Sequence, residues 1–544
     1  MVNEVSHSLP NYTDLSLKEK IGQMVMVRAS GYLFDHQIAY PVWEAPTAKL
    51  KSWIEDYHIG GVILLGGSAG EMSLRTQQLQ SWAKFPLFIA ADIEEGVGQR
   101  FTGATWFPPP MALGAIFDND PHLACTYAQQ MGAITAQEAQ AIGINWILAP
   151  VADVNSNPAN PVINVRAFGE TATVVSELVQ AFINGAQPYP VLTTAKHFPG
   201  HGDTATDSHL DLPRITHGNE HLQEVELPSF QRAIFTGVDS VMTAHLLIEA
   251  WDGHQPATLS SSILNSKLRQ ELDFDGLIIT DALVMSGVAK WASSEEISLL
   301  AVEAGADILL MPQDPEVAIN TIYEAVQKGR INPQRINASV ERIWHAKSKI
   351  FSSQNLGDHN TNRPNIWQIG QPEARNVAKL IGQGSMKTGG YLPVSVANNP
   401  NSSNIIFVDE FLKADFLTLN TPAVAIPQQL GYTAQIVEQN NLPREEDLPE
   451  ELLLQVFMRG NPFRGCAGLT TTAQTWFQQI LTNHRIQGLI IYGSPYVMQW
   501  FEPQIPSLTP WIFSYGQMPL AQAIAHQLMF SDYHQRVGSD RAFI

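Results

Sequence analysis

The sequence predicts an α/β fold, a (β/α)8 TIM barrel followed by a smaller open α/β sandwich domain. Three observations carry that prediction. Eight apolar, mostly β-branched runs alternate with helical patterns over the first two thirds of the chain, polar residues able to do chemistry stand at the C-terminal ends of five of those runs, and 544 residues exceed a single ordinary core. The expected boundaries are 1–351 for the barrel, 352–365 for a linker and 366–544 for the second domain.

In chain order the runs are QMVMVRAS from Gln23, GGVILLGG from Gly60, LFIAADIEE from Leu87, NWILAPVADV from Asn145, VLTTAKHF from Val191, SVMTAHLL from Ser240, LIITDALV from Leu277 and DILLMP from Asp307. Each looks buried on both faces, as the strands of an all-parallel sheet are. Between them LSLKEKIG, HLACTYAQQMGAITAQEAQAIG, ELPSFQRAIFTG and SSEEISLLAVEAG read as helices. A doubly wound sheet would carry a Gly-rich phosphate loop after its first strand, and none is present. The stretch FSSQNLGDHNTNRPN, Phe351 to Asn365, is polar and without periodicity, hence a linker. After it, NIIFVD, PAVAIP, ELLLQVFM, GLIIYG and PWIFSYG are the apolar runs of a smaller sheet, alternating with helical stretches such as TAQTWFQQILTNH.

Composition narrows the partners. With 32 basic and 52 acidic residues the formal net charge is −20, which argues against nucleic acid or an anionic membrane as a partner and says little about a neutral substrate. Cys125 and Cys466 are the only cysteines, so no disulfide framework is implied and a reducing compartment is permitted. The start, MVNEVSHSLPNYTDLSLKEK, has neither a basic nor an apolar signal region, and no run reaches about 18 apolar residues. A cytoplasmic location is expected.

The segment KHFPGHGDTATDSH, Lys196 to His209, gathers one Lys, three His and two Asp on a strand-to-loop junction. As metal ligands, His197, His201, Asp207 and His209 have awkward spacing, broken by two Gly and a Pro, and Lys196 would compete with the ion. The better reading has Lys196 and His197 donating hydrogen bonds to a polyol while Asp207, two residues before His209, fixes that imidazole as an acid/base. No metal and no cofactor are expected. Asp92, Asp153, Lys196 with His197, His245 and Asp281 each end a different run, where barrel enzymes place their chemistry. Asp281, after LIIT, has no basic neighbour within its strand. A carboxylate there can act as nucleophile, base or metal ligand. Paired with His209 as acid, it forms the two-group arrangement of a retaining glycosidase.

Four segments together, ADIEEGVGQRF from Ala91, APVADVNSNPANPVINVRAFGE from Ala149, KHFPGHGDTATDSHLDLP from Lys196 and ITDALVMSG from Ile279, resemble glycoside hydrolase family 3, in particular its β-N-acetylglucosaminidase branch. The resemblance implies that Asp281 is the nucleophile, His209 the acid/base and Asp207 its dyad partner. It also implies that Asp92 and Arg100 bind sugar hydroxyls, with Arg166, Lys196 and His197 making the remaining ring and N-acetyl contacts. Family members commonly carry DQEGGRVQR where this chain has DIEEGVGQR. Ile93, Glu95, Val97 and Gly98 are therefore departures, and they make the loop more negative. If that loop faces an outer subsite, an anionic aglycone is disfavoured.

The function expected is that of an exo-β-N-acetylglucosaminidase acting by double displacement, with peptidoglycan recycling as the setting a cytoplasmic location favours. Three rivals stand beside it. A phosphorylase would use the same residues with phosphate in place of water, a β-glucosidase would share the fold, and a sugar-binding module would need neither Asp281 nor His209.

Overall fold

The computed structural model describes residues 9–204, 212–351, 365–394, 402–461 and 467–530. All eight predicted runs of the first two thirds form strands: β1 Val25–Ser30, β2 Gly61–Leu65, β3 Phe88–Ala91, β4 Trp146–Ile147, β5 Thr194–Phe198, β6 Ser240–Thr243, β7 Leu277–Thr280 and β8 Leu309–Leu310. Every pairing among them is parallel, in the continuous orders β8-β1-β2-β3-β4 and β5-β6-β7. Single parallel bridges, Trp146 to Leu192, Val151 to Lys196 and Ile279 to Ile308, join the two arcs into a ring.

Local sequence explains where the surrounding helices begin. Ser16 and Ser68 form capping boxes with Glu19 and Glu71 at the heads of helices Leu17–Gln23 and Ala69–Trp82. Asp120 and Asp314 cap helices that open on Pro121 and Pro315, where a missing N–H costs nothing. Gly237, at φ 87°, ends helix Leu227–Thr236 in the left-handed conformation that favours glycine. The four predicted barrel helices are all present. Inside the ring Trp146 Nε1 donates to Thr194 Oγ1 at 2.8 Å and Ser240 Oγ at 3.1 Å, so the polar atoms of this buried layer are satisfied.

The second sheet contains β9 Lys387–Gly389, β10 Ser403–Val408, β11 Thr433–Glu438, β12 Glu451–Met458, β13 Arg485–Gly493 and β14 Trp511–Ser514. Its order is β9-β14-β13-β12-β10-β11, parallel except for the β9–β14 pair. One predicted strand is a helix: PAVAIP lies in Pro422–Gln429. Six apolar residues cannot reveal their period, and Pro422 occupies the first helical turn, where proline is favoured. The linker expected over 352–365 lies, apart from Asn365, outside the described residues.

The two domains meet through the carboxyl ends of their strands. Just past β12, Arg459 reaches Glu95 of the loop after β3, and Gly460 approaches so closely that a Cβ would lie 2.7 Å from the Pro161 carbonyl oxygen. Just past β13, Tyr496 Oη stands 2.6 Å from Asn155 Nδ2 and 2.5 Å from Glu170 Oε1, both in the loop after β4. Among the described residues no helix is long and apolar enough to cross a membrane.

Candidate active site

The strand ends converge as the barrel geometry requires. Asp92 directly follows β3, Lys196 lies in β5 and Asp281 directly follows β7. These are alternate strands, whose inward side chains share a layer in this fold. Lys196 is 1 % exposed, and its Nζ lies 2.7 Å from Asp92 Oδ1 and 2.7 Å from Glu94 Oε1. Asp92 and Glu94 flank the fully buried Ile93 where the backbone turns after β3, Ile93 N–H donating to the Ala91 carbonyl and Gly96 N–H to the Ile93 carbonyl, and both carboxylates meet the Lys196 ammonium.

Arg166 clamps Glu94 with two hydrogen bonds, Nε to Oε2 at 2.9 Å and Nη2 to Oε1 at 2.8 Å, while Nη1 donates to the Val162 carbonyl at 3.0 Å. Burial opposes the Glu94 charge, but Arg166 and then Lys196 overcome it and hold the carboxyl well below its usual range. Burial likewise opposes the charge of Lys196, and Asp92 and Glu94 reverse that, raising its pKa. The cluster is thus a charged, internally paired network. Arg100 Nε donates to the Asp92 carbonyl at 2.9 Å and braces the loop from outside.

Behind this network Asp153, fully buried, accepts the His197 ring at Nδ1 (2.7 Å) and the backbone N–H groups of His197 (3.1 Å) and His201 (2.7 Å). Burial raises the Asp153 pKa, yet the His197 ring more than offsets it, and the net direction is downward. His197 Nδ1 is therefore committed, and its Nε2 makes no hydrogen bond with described residues. His201 Nδ1 lies 2.7 Å from Thr204 Oγ1, and burial depresses its pKa to about 4. Gly202 is required here, since a Cβ would fall 1.6 Å from the Val154 carbonyl oxygen.

Asp281 Oδ1 accepts the Ala282 N–H at 2.7 Å, and its own N–H donates to the Thr243 carbonyl. His245, beyond β6, donates from Nε2 to the Ala282 carbonyl at 3.1 Å and meets Thr258 Oγ1 at 2.8 Å. It therefore buttresses the backbone beside Asp281. Through Met242 the register sets Lys196 level with Ile279, so Asp281 stands two strands across and two residues further toward the mouth, roughly 12 Å between Cα atoms at the usual spacings.

Asp92, Arg166 and Lys196 thus share one network through Glu94, with His197 held behind it on Asp153, Arg100 at its edge and Asp281 across the mouth. Asp207 and His209 lie outside the described residues. Glu94 is the member that sequence reasoning left off its site, although the alternation Asp92–Ile93–Glu94 was the available signal. The expectation for the departures in DIEEGVGQR is corrected. Val97 is fully buried in the core, and Glu95, 1 % exposed, is bonded to Arg459 Nη2 at 2.9 Å and Trp106 Nε1 at 2.9 Å. The extra anion is neutralised inside the domain contact and faces no outer subsite.

Comparison with known proteins gives two family matches, the Glycosyl hydrolase family 3 N terminal domain over residues 16–346 and the Bacterial Glycosyl hydrolase family 3 C-terminal domain over residues 395–531. A β-hexosaminidase A of Pseudoalteromonas piscicida is 32% identical over 64% of this chain and 62% of its own length, so the chain spans about three fifths of that relative. A β-hexosaminidase of Nitrosomonas eutropha is 34% identical over 52% of this chain and 84% of its own length. Among solved structures, a glycoside hydrolase family 3 β-N-acetylglucosaminidase from a Paenibacillus species superposes with TM-score 0.76 at 27% identity, covering 94% of this chain and 96% of its own.

Proposed function

The chain belongs to glycoside hydrolase family 3, and from that premise we propose that it is a retaining exo-β-N-acetylglucosaminidase that removes terminal β-linked N-acetylhexosamine. The observation that carries the reading is the Asp92–Lys196–Glu94–Arg166 network standing across the barrel mouth from Asp281. An uncharged sugar suits such a site, because ionised groups that are already paired still offer acceptors and donors to several hydroxyls.

In this reading Asp281 attacks the anomeric carbon and forms the glycosyl-enzyme, while His209, oriented by Asp207, protonates the leaving oxygen. His209 then takes a proton from water as it attacks, and the sugar leaves with retained configuration. Asp92 and Arg100 take hydroxyls of the terminal sugar, His197 Nε2 offers a further contact, and Lys196 with Arg166 keeps the carboxylates in place. The β-hexosaminidase and β-N-acetylglucosaminidase relatives support the N-acetyl specificity. Peptidoglycan fragments as substrate and a cytoplasmic location belong to the same proposal, supported by a chain that needs no disulfide; fractionation of the native host tests the location.

The deciding experiment is nitrophenol release from the N-acetyl-β-glucosaminide and the β-glucoside, side by side, with and without inorganic phosphate. Preference for the N-acetyl substrate with free sugar as product is expected. Preference for the glucoside would reassign the specificity, and sugar 1-phosphate as product would reassign the reaction to phosphorolysis.

A further inference from the structure

A second cluster lies next to the segment that carries His209, built from groups the sugar chemistry does not use. Asp203, His217 and His221 each bring one ligand atom to within 4.8 Å of the other two. His217 stands just before the helix that begins at Asn219, and His221 closes that helix's first turn. Their four-residue separation stacks the imidazoles with centroids 4.0 Å apart and planes at 25°. His217 Nε2 is already hydrogen-bonded to the Asp203 carboxylate.

Directly beneath, two polar groups are stranded. Among the described residues, the buried His221 Nε2 has no hydrogen-bond partner, and neither carboxyl oxygen of Glu226 has one. The Glu226 side chain is 0% exposed and stands 3.9 Å from that nitrogen. Gly200 is packed so tightly over it that a Cβ would lie 2.1 Å from Glu226 Oε2, so the carboxyl is wedged under the loop. Buried polar groups nearly always have partners, and an orphaned carboxyl facing the back of a ligand-bearing imidazole is the arrangement that orients metal-binding histidines.

We propose that Asp203, His217 and His221 bind one divalent ion of the zinc class, His221 through Nδ1, with its Nε2–H directed at Glu226. Two imidazoles and one carboxylate are a donor set that zinc accepts, with water as a fourth ligand. Metal–ligand bonds of about 2.0–2.2 Å put tetrahedral ligand atoms roughly 3.3–3.6 Å apart. The three ligand atoms, all within 4.8 Å of one another, need only small side-chain shifts to reach that spacing, and His217, whose side chain is 45% exposed, has room to turn. This set is distinct from the His197, His201, Asp207 and His209 combination that the sequence disfavours. Because Asp203 precedes and His217 follows both Asp207 and His209 in the chain, the ion would tie together the two ends of the dyad-bearing segment. Its role is structural, and it takes no part in proton transfer.

The test uses the full chain purified without a histidine tag, stripped with chelator and dialysed. Calorimetric titration with Zn2+ is expected to give one equivalent bound at micromolar or tighter Kd, and Co2+ to give the d–d absorption of a four-coordinate ion. His217→Ala and His221→Ala should each weaken binding by about 100-fold. Asp203→Asn, which keeps the side-chain shape, should do so with unchanged circular dichroism. Zinc should also raise the Tm of the wild type by a few degrees and leave that of the variants unmoved. No binding of either ion at 100-fold the protein concentration would overturn the proposal, as would one-equivalent binding that survives in the His217→Ala/His221→Ala double variant.

Discussion

Arg459, at the carboxyl end of β12 in the second domain, donates to the carboxylate of Glu95 at 2.9 Å, across 364 residues of chain. Glu95 is 2 % exposed at its side chain and sits in the loop that also carries Asp92 and Glu94. The second domain therefore holds the loop proposed to bind the sugar, although nothing in the proposed proton transfer requires it.

Removing Arg459 leaves a buried anion with Trp106 as its remaining partner. Arg459→Ala should cost about 1–3 kcal/mol of stability, below the range for fully enclosed pairs because the guanidinium is 30% exposed. Glu95→Gln keeps the Trp106 bond without the charge, so the double variant should recover most of the loss. Chemical denaturation of the four proteins measures the coupling, and strictly additive losses would show that the pair contributes nothing of its own.

Arg166 and Lys196 should act on the reaction through Glu94. Arg166→Lys loses the two-pronged contact and should lower kcat/KM by about 10- to 100-fold, the loss of a charge-assisted hydrogen bond. Because Arg166 is the larger favourable influence on Glu94, its loss should also move the acid limb of the pH profile upward. A uniform drop with an unmoved limb would assign Arg166 to packing alone.

The barrel was legible because strands buried on both faces read as unbroken apolar runs, and all eight became strands. The edge strand β11 was not, since Thr433 to Gln435 are solvent-facing and present no such run. In the site, Asp92, Lys196 and Asp281 announce themselves as charged residues closing apolar runs, where burial without a partner is costly. What the sequence withheld were pairings between distant segments. Without its contact to Arg459, Glu95 read as an extra loop anion bearing on an outer subsite.

A buried lysine at the opposite end of the barrel ties stability to pH. Lys347 is fully buried; its Nζ donates to Gln23 Oε1 at 2.5 Å and lies 5.0 Å from the Phe88 ring centroid and 5.5 Å from that of Trp344. These contacts replace only part of the ammonium's hydration, and burial lowers its pKa from the usual 10.5 to about 7. The unfolded chain takes up this proton as pH falls below about 10.5 and the folded chain does not until about 7. The stability contribution is thus fullest above the unfolded pKa and is lost on descending through that window. Between pH 7.5 and 9.5, wild type should gain about 2.5 kcal/mol relative to Lys347→Met. A difference that stays constant would mean the folded protein keeps the ammonium charged.

The two proposed catalytic groups should fail in different ways. Without Asp281 no glycosyl-enzyme forms, so Asp281→Ala should lose on the order of 10³-fold or more in kcat on every substrate. A small anion such as azide, entering the vacated space, should restore turnover with an α-glycosyl azide as product, because a single displacement inverts the anomeric centre. Without His209 the nucleophile remains, and the deficit follows the leaving group. His209→Ala should lose about 10²- to 10⁴-fold on disaccharides whose alkoxide needs a proton, and much less in the first step on nitrophenyl glycosides. For this variant azide should give the β-glycosyl azide, since it attacks the intermediate after the first inversion. Equal losses on both substrate classes would remove His209 as the acid, and an α-product from that variant would mean that no covalent intermediate lies on the path.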